Sequence, residues 1–483
     1  MMNRYILTFF ALAINISLCI AQPLATKMDE AMKKYTAQNY SGNVLVYSNG
    51  EKIYDKAFGF ADRENKRPQT TETFFSIGSI TKQFTAAGIL LLEQQGKLSV
   101  NDKMSKYYDN VPSDKADITL HKLLTHTAGF TETLGDDYDT INAAQFATLA
   151  LASKLKQNAG TNYLYSNVGY SMLGIIIEKV SGMGYEKFLH DNIFVPCKMN
   201  NTGYCIPLFD RAKFAIGYRD NVRWGSAISK PWAADGPGWH LRANGGIIST
   251  TNDMLNWYLA LASNKILNKA ETEKYFTPHV AEGHQQNSFY GYGWVIQNAG
   301  DEKWIWHNGG NGVYNANVTF NLEKNWCVIV SSNSNNIIAD DIALDMIGVL
   351  KNKTMTHAPQ QNTSPDVNPV SQKIVDVISS RGAEYYSQHY NDILKETGFD
   401  FKNDMILLDA GQLLEDKKMW DGGISLYESC TKLFPNIIIG WNRLGYCHLQ
   451  KGDKEKARTC WKKSLTIRTE NNRAGEFLKS INN

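Results

Sequence analysis

Three short segments carry side chains whose types and spacing suit acyl transfer. In Ser79-Ile80-Thr81-Lys82, a spacing of three on a helix sets a hydroxyl and an amine on one face. A serine hydroxyl is a weak nucleophile until a base takes its proton, and a lysine amine is such a base once neutral. Bringing a lysine from its reference value of about 10.4 towards neutrality costs about 4 kcal/mol, which desolvation and nearby charge can supply. A helix starting at Ser79 would also turn its backbone N–H towards a developing oxyanion. The second segment, Tyr165-Ser166-Asn167, can aim a phenol and an amide into one cleft. The third, His307-Asn308-Gly309-Gly310, pairs a basic ring with glycines that let a ligand approach the backbone. Alone, Ser-x-x-Lys equally describes a helix cap followed by a surface lysine; its weight comes from the other two segments.

These segments need elements to hold them. Strand-like runs at 42–47 and 52–59 flank Ser48-Asn49-Gly50, a hairpin turn signal. Further strands are predicted only much later, at 292–297, 303–306, 316–321 and 326–331. Between them the pattern is helical, at 80–95, 117–124, 169–180, 185–192 and 251–261. An antiparallel sheet built from both ends, with an inserted helical domain, follows as an α+β arrangement. The polar stretch 351–370 contains Pro359, Pro365 and Pro369 and reads as a linker. Beyond it, Gly411 and Gly445, Gly423 and Ala457, Tyr427 and Trp461, and Leu433 and Ile467 share one spacing of 34 residues. The second unit opens Trp441-x-x-Leu444-Gly445 and carries Gly452-Asp453 between its helices. This period resembles the tetratricopeptide repeat. In the first unit Leu407 stands where tryptophan is expected, so residues 371–395 are needed to supply further helices.

Composition sets the limits. The chain has 483 residues, 43% of them hydrophobic, which suits two to four domains and excludes general disorder. With 50 Lys+Arg against 48 Asp+Glu, no broad field favours nucleic acid or an anionic membrane. Residues 1–21 hold one charge, Arg4, and an apolar run closed by Cys19-Ile20-Ala21; they read as a secretory signal cleaved before Gln22. Export to the periplasm or medium is therefore expected; lipidation at Cys19 is the less favoured alternative because bulky Leu18 precedes it. The run is shorter than a membrane span. Six cysteines remain after cleavage, and Cys197 and Cys205 are spaced to pair, although simple burial explains all six equally well. Residues 441–483 hold ten Lys+Arg against four Asp+Glu, either a docking face for an acidic partner or a solvated helix surface. No GxSxG, HExxH or Walker A segment occurs, which disfavours an α/β-hydrolase, a zincin and an NTPase.

The order Ser-x-x-Lys, Tyr-x-Asn, His-x-Gly resembles that of the serine β-lactamases and penicillin-recognising DD-peptidases, and within them the class C-related hydrolases. Phe75-Ser76-Ile77-Gly78, Thr125-His126-Thr127 and Asn244-Gly245-Gly246-Ile247 agree, and the resemblance spans about residues 30–350. It implies a β-lactamase/DD-peptidase fold over 22–350, followed by an all-α repeat domain over 371–483. It further implies Ser79 as the acylated nucleophile, with Lys82 and Tyr165 moving protons. Asn167, His307, Asn308, Gly309 and Gly310 would bind substrate, and the N–H groups of Ser79 and Gly310 would form the oxyanion hole. His126 would be structural, and no metal or other cofactor is needed. Where the family carries a permanently charged lysine, His307 is mostly neutral at pH 7, so efficient β-lactam hydrolysis is not expected. A peptide, amide or ester substrate, the amide of D-amino-acid type, fits better, and the repeats would serve protein contacts. The other readings are a binding protein or sensor without turnover, and a scaffold whose repeats are its main business. The stretch 217–246, with Trp224, Trp232 and Trp239, either lines the pocket or simply packs.

Overall fold

The computed structural model describes residues 24–219, 222–229, 236–283, 287–335, 339–352, 369–401, 404–467, 474 and 478. The signal segment, most of the linker and Trp232 lie outside them. The chain divides into two compact units, near residue 362.

The larger unit is organised by one eight-stranded sheet. Its strands in chain order are β1 (Gly42–Ser48), β2 (Glu51–Phe58), β3 (Val280–Ala281), β4 (Ser288–Tyr290), β5 (Val295–Ala299), β6 (Glu302–Gly310), β7 (Asn315–Asn321) and β8 (Trp326–Ser332). They lie in the order β2-β1-β8-β7-β6-β5-β4-β3, and every neighbouring pair is antiparallel. The two ends of the unit meet where β1 pairs with β8, Gly42 opposite Ser332. The β1–β2 hairpin turns on Asn49 and Gly50, both at positive φ, as the Asn-Gly pair predicts.

Alternation along a strand sends successive side chains to opposite faces, and two apolar layers result. Leu45, Tyr47, Val318, Phe320, Cys327 and Ile329 join the core on one face. Val44, Val46, Val328 and Val330 pack on the other, beneath helix α1 (residues 24–36) and a late helix, Ala339–Leu350. All seven residues of β1 are buried because both faces are covered.

On the first face stands α2 (Thr81–Gln94), buried from Thr81 to Leu92. A helix covered on every side belongs inside, and Lys82 is the one charged residue among those buried in it. Against it packs α3 (Asn167–Ser181). The third helix of consequence is α4 (Thr251–Ala262), capped by Thr250, whose hydroxyl accepts from Asp253 N.

The boundaries differ from expectation in instructive places. The predicted strand at 292–297 starts instead at Val295, since Gly293 takes a positive φ. The strand predicted for 303–306 runs on to Gly310, so the His307 segment lies in the sheet, not after it. Among the described residues no disulfide forms. Cys197 packs in the core instead.

The second unit is all helical: Pro369–Arg381, Ala383–Thr397, Met405–Asp416, Trp420–Leu433, Ile438–Gln450 and Lys454–Ile467. Ile374, Ile378, Tyr386 and Leu394 of the first two helices share one core with Leu407, Leu414 and Tyr427. The repeat is visible in its packing. A Cβ on Gly411 would meet the Tyr427 ring at 2.3 Å, and 34 residues on a Cβ on Gly445 would meet the Trp461 ring at 2.4 Å. Each helix pair thus closes by laying an aromatic ring on a glycine. Gly445→Val should cost about 1–3 kcal/mol by overpacking, read as a lowered urea midpoint for the helical unit, with Ser79 reactivity retained.

Candidate active site

Helix α2 is entered through a 3₁₀ turn, Gly78–Ile80, which carries Ser79. The preceding residues are fixed by a short ladder, Phe75 opposite Ser249 and Ser76 opposite Ile248, extended by Ile77 N donating to Ile247 O at 2.9 Å. One turn into the helix, Lys82 is fully buried. Its Nζ lies 3.0 Å from Ser79 Oγ, 2.7 Å from Asn167 Oδ1 and 2.8 Å from the Asn244 carbonyl oxygen. Burial holds the amine well below its ordinary value, against the opposing pull of Asp137 and Glu132. A neutral amine has two N–H groups and one lone pair. Asn167 Oδ1 and Asn244 O can only accept, so they take the two protons and the lone pair is left facing the Ser79 hydroxyl.

Asn167 is the first residue of α3, and its placement is fixed by Ser166. The Ser166 hydroxyl accepts from Gly169 N at 3.3 Å as the helix cap and donates to Thr131 O at 2.7 Å. Ser166 N donates to His126 Nδ1 at 3.0 Å. The His126 ring, 1% exposed, packs 4.3 Å from the Tyr165 ring. Burial, reinforced by Lys82 and His307, holds His126 well below its ordinary value and neutral. It therefore orients Tyr165-Ser166-Asn167 from behind. Tyr165 hydrogen-bonds Ser79 through its side chain, and desolvation keeps the phenol protonated well above neutral pH. The Lys82 amine lies 4.7 Å from the Tyr165 ring centroid.

The far wall is the edge of β6. Its pairing with β5 ends at Trp306 opposite Val295, whereas pairing with β7 continues to Gly310 opposite Asn315. Residues 307–310 therefore have one edge without a strand neighbour, and the Ser79 turn presses against it. A Cβ on Gly309 would stand 1.9 Å from Ile77 O and 2.9 Å from Ser79 N. A Cβ on Gly78, at φ +50°, would stand 2.5 Å from Gly310 N. Only glycines allow this approach, which brings the Ser79 and Gly310 amides to the same cleft.

Strand alternation sorts the third motif. His307 is 3% exposed, with Nδ1 2.5 Å from Asn308 O and Nε2 3.0 Å from Tyr290 Oη. A carbonyl oxygen only accepts, so Nδ1 carries the proton and Nε2 accepts from Tyr290. Burial and the nearby Lys82 push the ring down to about 3. His307 is neutral, as expected, but neither ring nitrogen is available to bind substrate. The Asn308 side chain also departs from the expected role: its amide donates to Asp340 at 2.8 Å, tying β6 to the helix over the other sheet face. Gly309 serves close approach, and Gly310 lines the cleft.

That cleft, about 430 Å³ counting the space open to solvent at its mouth, is lined by Ser76, Gly78, Ser79, Asp137, Tyr138, Asn167, Ala227, Leu241, Asn244, Gly245, Gly246, Gly310 and Asn311. Two groups escaped sequence reasoning. Asn244 acts through its backbone carbonyl, held in place as its side chain donates to Ser171 Oγ and His240 O, both at 2.8 Å. Asp137 is one of four carboxylates in its loop, with Glu132, Asp136 and Asp139, and the one that lines the cleft. Of the tryptophans, Trp239 belongs to the core, while Trp224 packs edge-on to Tyr314 and 5.7 Å from Tyr138. The stretch contributes Ala227, Leu241 and 244–246 to the wall. Among the described residues no helix is long and apolar enough to cross a membrane, and no group of His, Cys, Asp and Glu could hold a metal ion.

A sheet with helices on both faces and a serine at the mouth of its central buried helix, against a strand edge, defines the β-lactamase and penicillin-binding protein class of fold. The comparisons agree. The Beta-lactamase family matches residues 24–351, and a Tetratricopeptide repeat matches 438–471. The chain belongs to the Beta-lactamase family. Penicillin-binding protein 4* of Bacillus subtilis is 30% identical over 291 residues, 56% of this chain and 63% of that protein. The chain thus spans less than two thirds of this relative. The penicillin-binding protein of Bacillus halodurans superposes with a TM-score of 0.57 at 27% identity, covering 68% of this chain and 99% of that one. A D-amino acid amidase from Ochrobactrum anthropi shares the fold, with a TM-score of 0.59 at 22% identity over 68% of this chain and 99% of its own.

Gly309→Ala should force the strand edge away from the Ser79 turn. Losing one oxyanion donor lowers kcat about 10²–10³-fold, so steady-state kinetics should show that drop with KM little changed. His126→Ala leaves the buried Ser166 N–H without an acceptor, costing about 1–3 kcal/mol. It should slow turnover without altering the shape of the pH–rate profile, as befits a positioning residue.

Proposed function

We propose that the protein is an exported serine hydrolase that opens amide bonds of D-amino-acid type through an acyl-enzyme on Ser79. The observation that carries this reading is the buried Lys82 amine, held well below its ordinary value by desolvation and set 3.0 Å from Ser79 Oγ, with Asn167 Oδ1 and the Asn244 carbonyl as its other partners. In acylation Ser79 Oγ attacks the carbonyl carbon while its proton passes to Lys82. The tetrahedral oxyanion lies between the Ser79 and Gly310 amides. The proton then returns through the Tyr165 hydroxyl to the leaving nitrogen, the C–N bond breaks, and water releases the acid by the reverse relay. Tyr165 is a protonated shuttle here, since burial raises it, and Lys82 is the base.

The substrate class is supported by what the cleft lacks. Among the described lining residues there is no Lys, Arg or His, so these residues offer no cation to the carboxylate of a penicillin or a peptide C-terminus. Penicillin-binding relatives and the amidase neighbour favour amide chemistry; an ester is the second choice. The exported location rests on residues 1–21 alone, and a protein-docking role for the repeats on the tetratricopeptide match.

A fluorophosphonate probe should add one adduct by intact mass, at Ser79 in peptide maps, and none to Ser79→Ala. Labelling should fall as pH is lowered through the depressed value of Lys82, because protonation fills the lone pair that faces the hydroxyl. A permanent acyl adduct with amide substrates, without release, would replace the enzyme reading by that of a binding protein or sensor.

A further inference from the structure

Asp137 has no evident structural work. Its loop is stitched by its neighbours: Asp136 Oδ1 accepts from Tyr138 N at 2.8 Å and Asp139 Oδ2 from Asp136 N at 3.3 Å. Lys82 is not its counter-ion, because the three partners of that amine are Ser79, Asn167 and Asn244. No hydrogen bond or ion pair to the Asp137 carboxylate is made by the described residues. Yet Asp137 lines the same cleft as Ser79 and Asn167 and is the only carboxylate among the described residues that do so. Beside it, Tyr138 hydrogen-bonds the side chain of Asn311, the residue after Gly310, which ties the loop to the oxyanion end of β6. An unpartnered carboxylate lining the cleft of the nucleophile, with no cation among the described lining residues, is complementary to a substrate cation.

We propose that Asp137 recognises the free ammonium group of the substrate, so that the amides hydrolysed are those of amino acids or peptides with an unblocked amino terminus. This rests on the acyl-enzyme reading above and narrows its substrate class. Burial, with Asp136 and Glu132 adding repulsion and Lys82 opposing, raises the carboxyl to about 6. The charged and titratable groups facing it are Lys82 on α2, Glu132 and Asp136 of its own loop, and the Tyr138 phenol. The carboxyl is ionised above about pH 6, and a substrate α-amine stays protonated up to about 8. Recognition should therefore be strongest between these values and fall on both sides.

The test uses the full chain and matched substrates: D-phenylalanine amide, its N-acetyl derivative and its des-amino analogue, 3-phenylpropionamide. The quantity read is the ratio of kcat/KM for the free amine over each blocked partner, which is insensitive to the fraction of folded enzyme. The ratio should exceed about 10 in the native enzyme, because an ion pair in a partly desolvated cleft is worth at least that factor. Asp137→Asn should lower it tenfold or more, chiefly through KM, and Asp137→Glu, which restores the charge, should retain most of it. A ratio near one, a preference for blocked substrates, or a ratio unmoved by Asp137→Asn would overturn the assignment while leaving hydrolysis at Ser79 intact. No turnover of any amide together with no Ser79 adduct would instead remove the hydrolase reading, and the assignment with it.

Discussion

An ammonium group cannot be buried without a counter-ion at tolerable cost, so a lysine sealed inside a protein gives up its proton. The site is built around that constraint at Lys82. The helix carrying it is buried from Thr81 to Leu92, which removes water. Two carbonyl oxygens from distant parts of the chain then satisfy the neutral amine, one from the Asn167 side chain and one from the Asn244 backbone. Ser79 receives what remains. In the proposed mechanism the core does not merely hold the reacting groups in place; by excluding solvent from α2 it creates the base.

The second requirement is an anion hole, and here the sheet does the work. Strand β6 outruns its neighbour β5 by four residues, and the exposed edge meets the turn that opens α2. Glycines at 78 and 309 bring two backbones closer than any side chain would permit. The same strand sorts its remaining residues by alternation. His307 turns inward against Tyr290 and Asn308 turns outward to Asp340, while the backbone of Gly310 is left to the cleft. What reads in sequence as a cluster of binding side chains is in space a backbone edge with two braces.

This explains which parts were legible beforehand. Ser79 with Lys82, and Tyr165 with Asn167, stand out because each short segment pairs side chains suited to acyl transfer, and the structure brings all four together; the hairpin at Asn49-Gly50 stands out because its turn demands positive φ. The fold followed from strands at both ends of a helical stretch. The roles of His307 and Asn308 were misread because the strand was ended at Trp306; a period of two carried four residues further separates them. Asn244 works through a carbonyl that every residue possesses, so nothing in its side chain could disclose it. Asp137 was hidden for the opposite reason: beside Glu132, Asp136 and Asp139 in one loop, nothing in the sequence distinguishes the carboxylate that reaches the cleft. The 34-residue period was legible because a glycine and an aromatic ring recur together.

The joining of the sheet from both ends of the unit has a consequence in time. Ser332 Oγ donates to Ser41 O across 291 positions of chain, and β8 lies between β1 and β7. During synthesis the nucleophile and its helix emerge long before the strands that complete their cradle. Contacts of such separation are formed late and slowly, because closing the loop costs entropy before any contact rewards it. A ribosome-bound chain therefore carries Ser79 without the Gly310 edge beside it, and on the proposed mechanism reactivity arises only once the last strand has been made and has found its place beside the first.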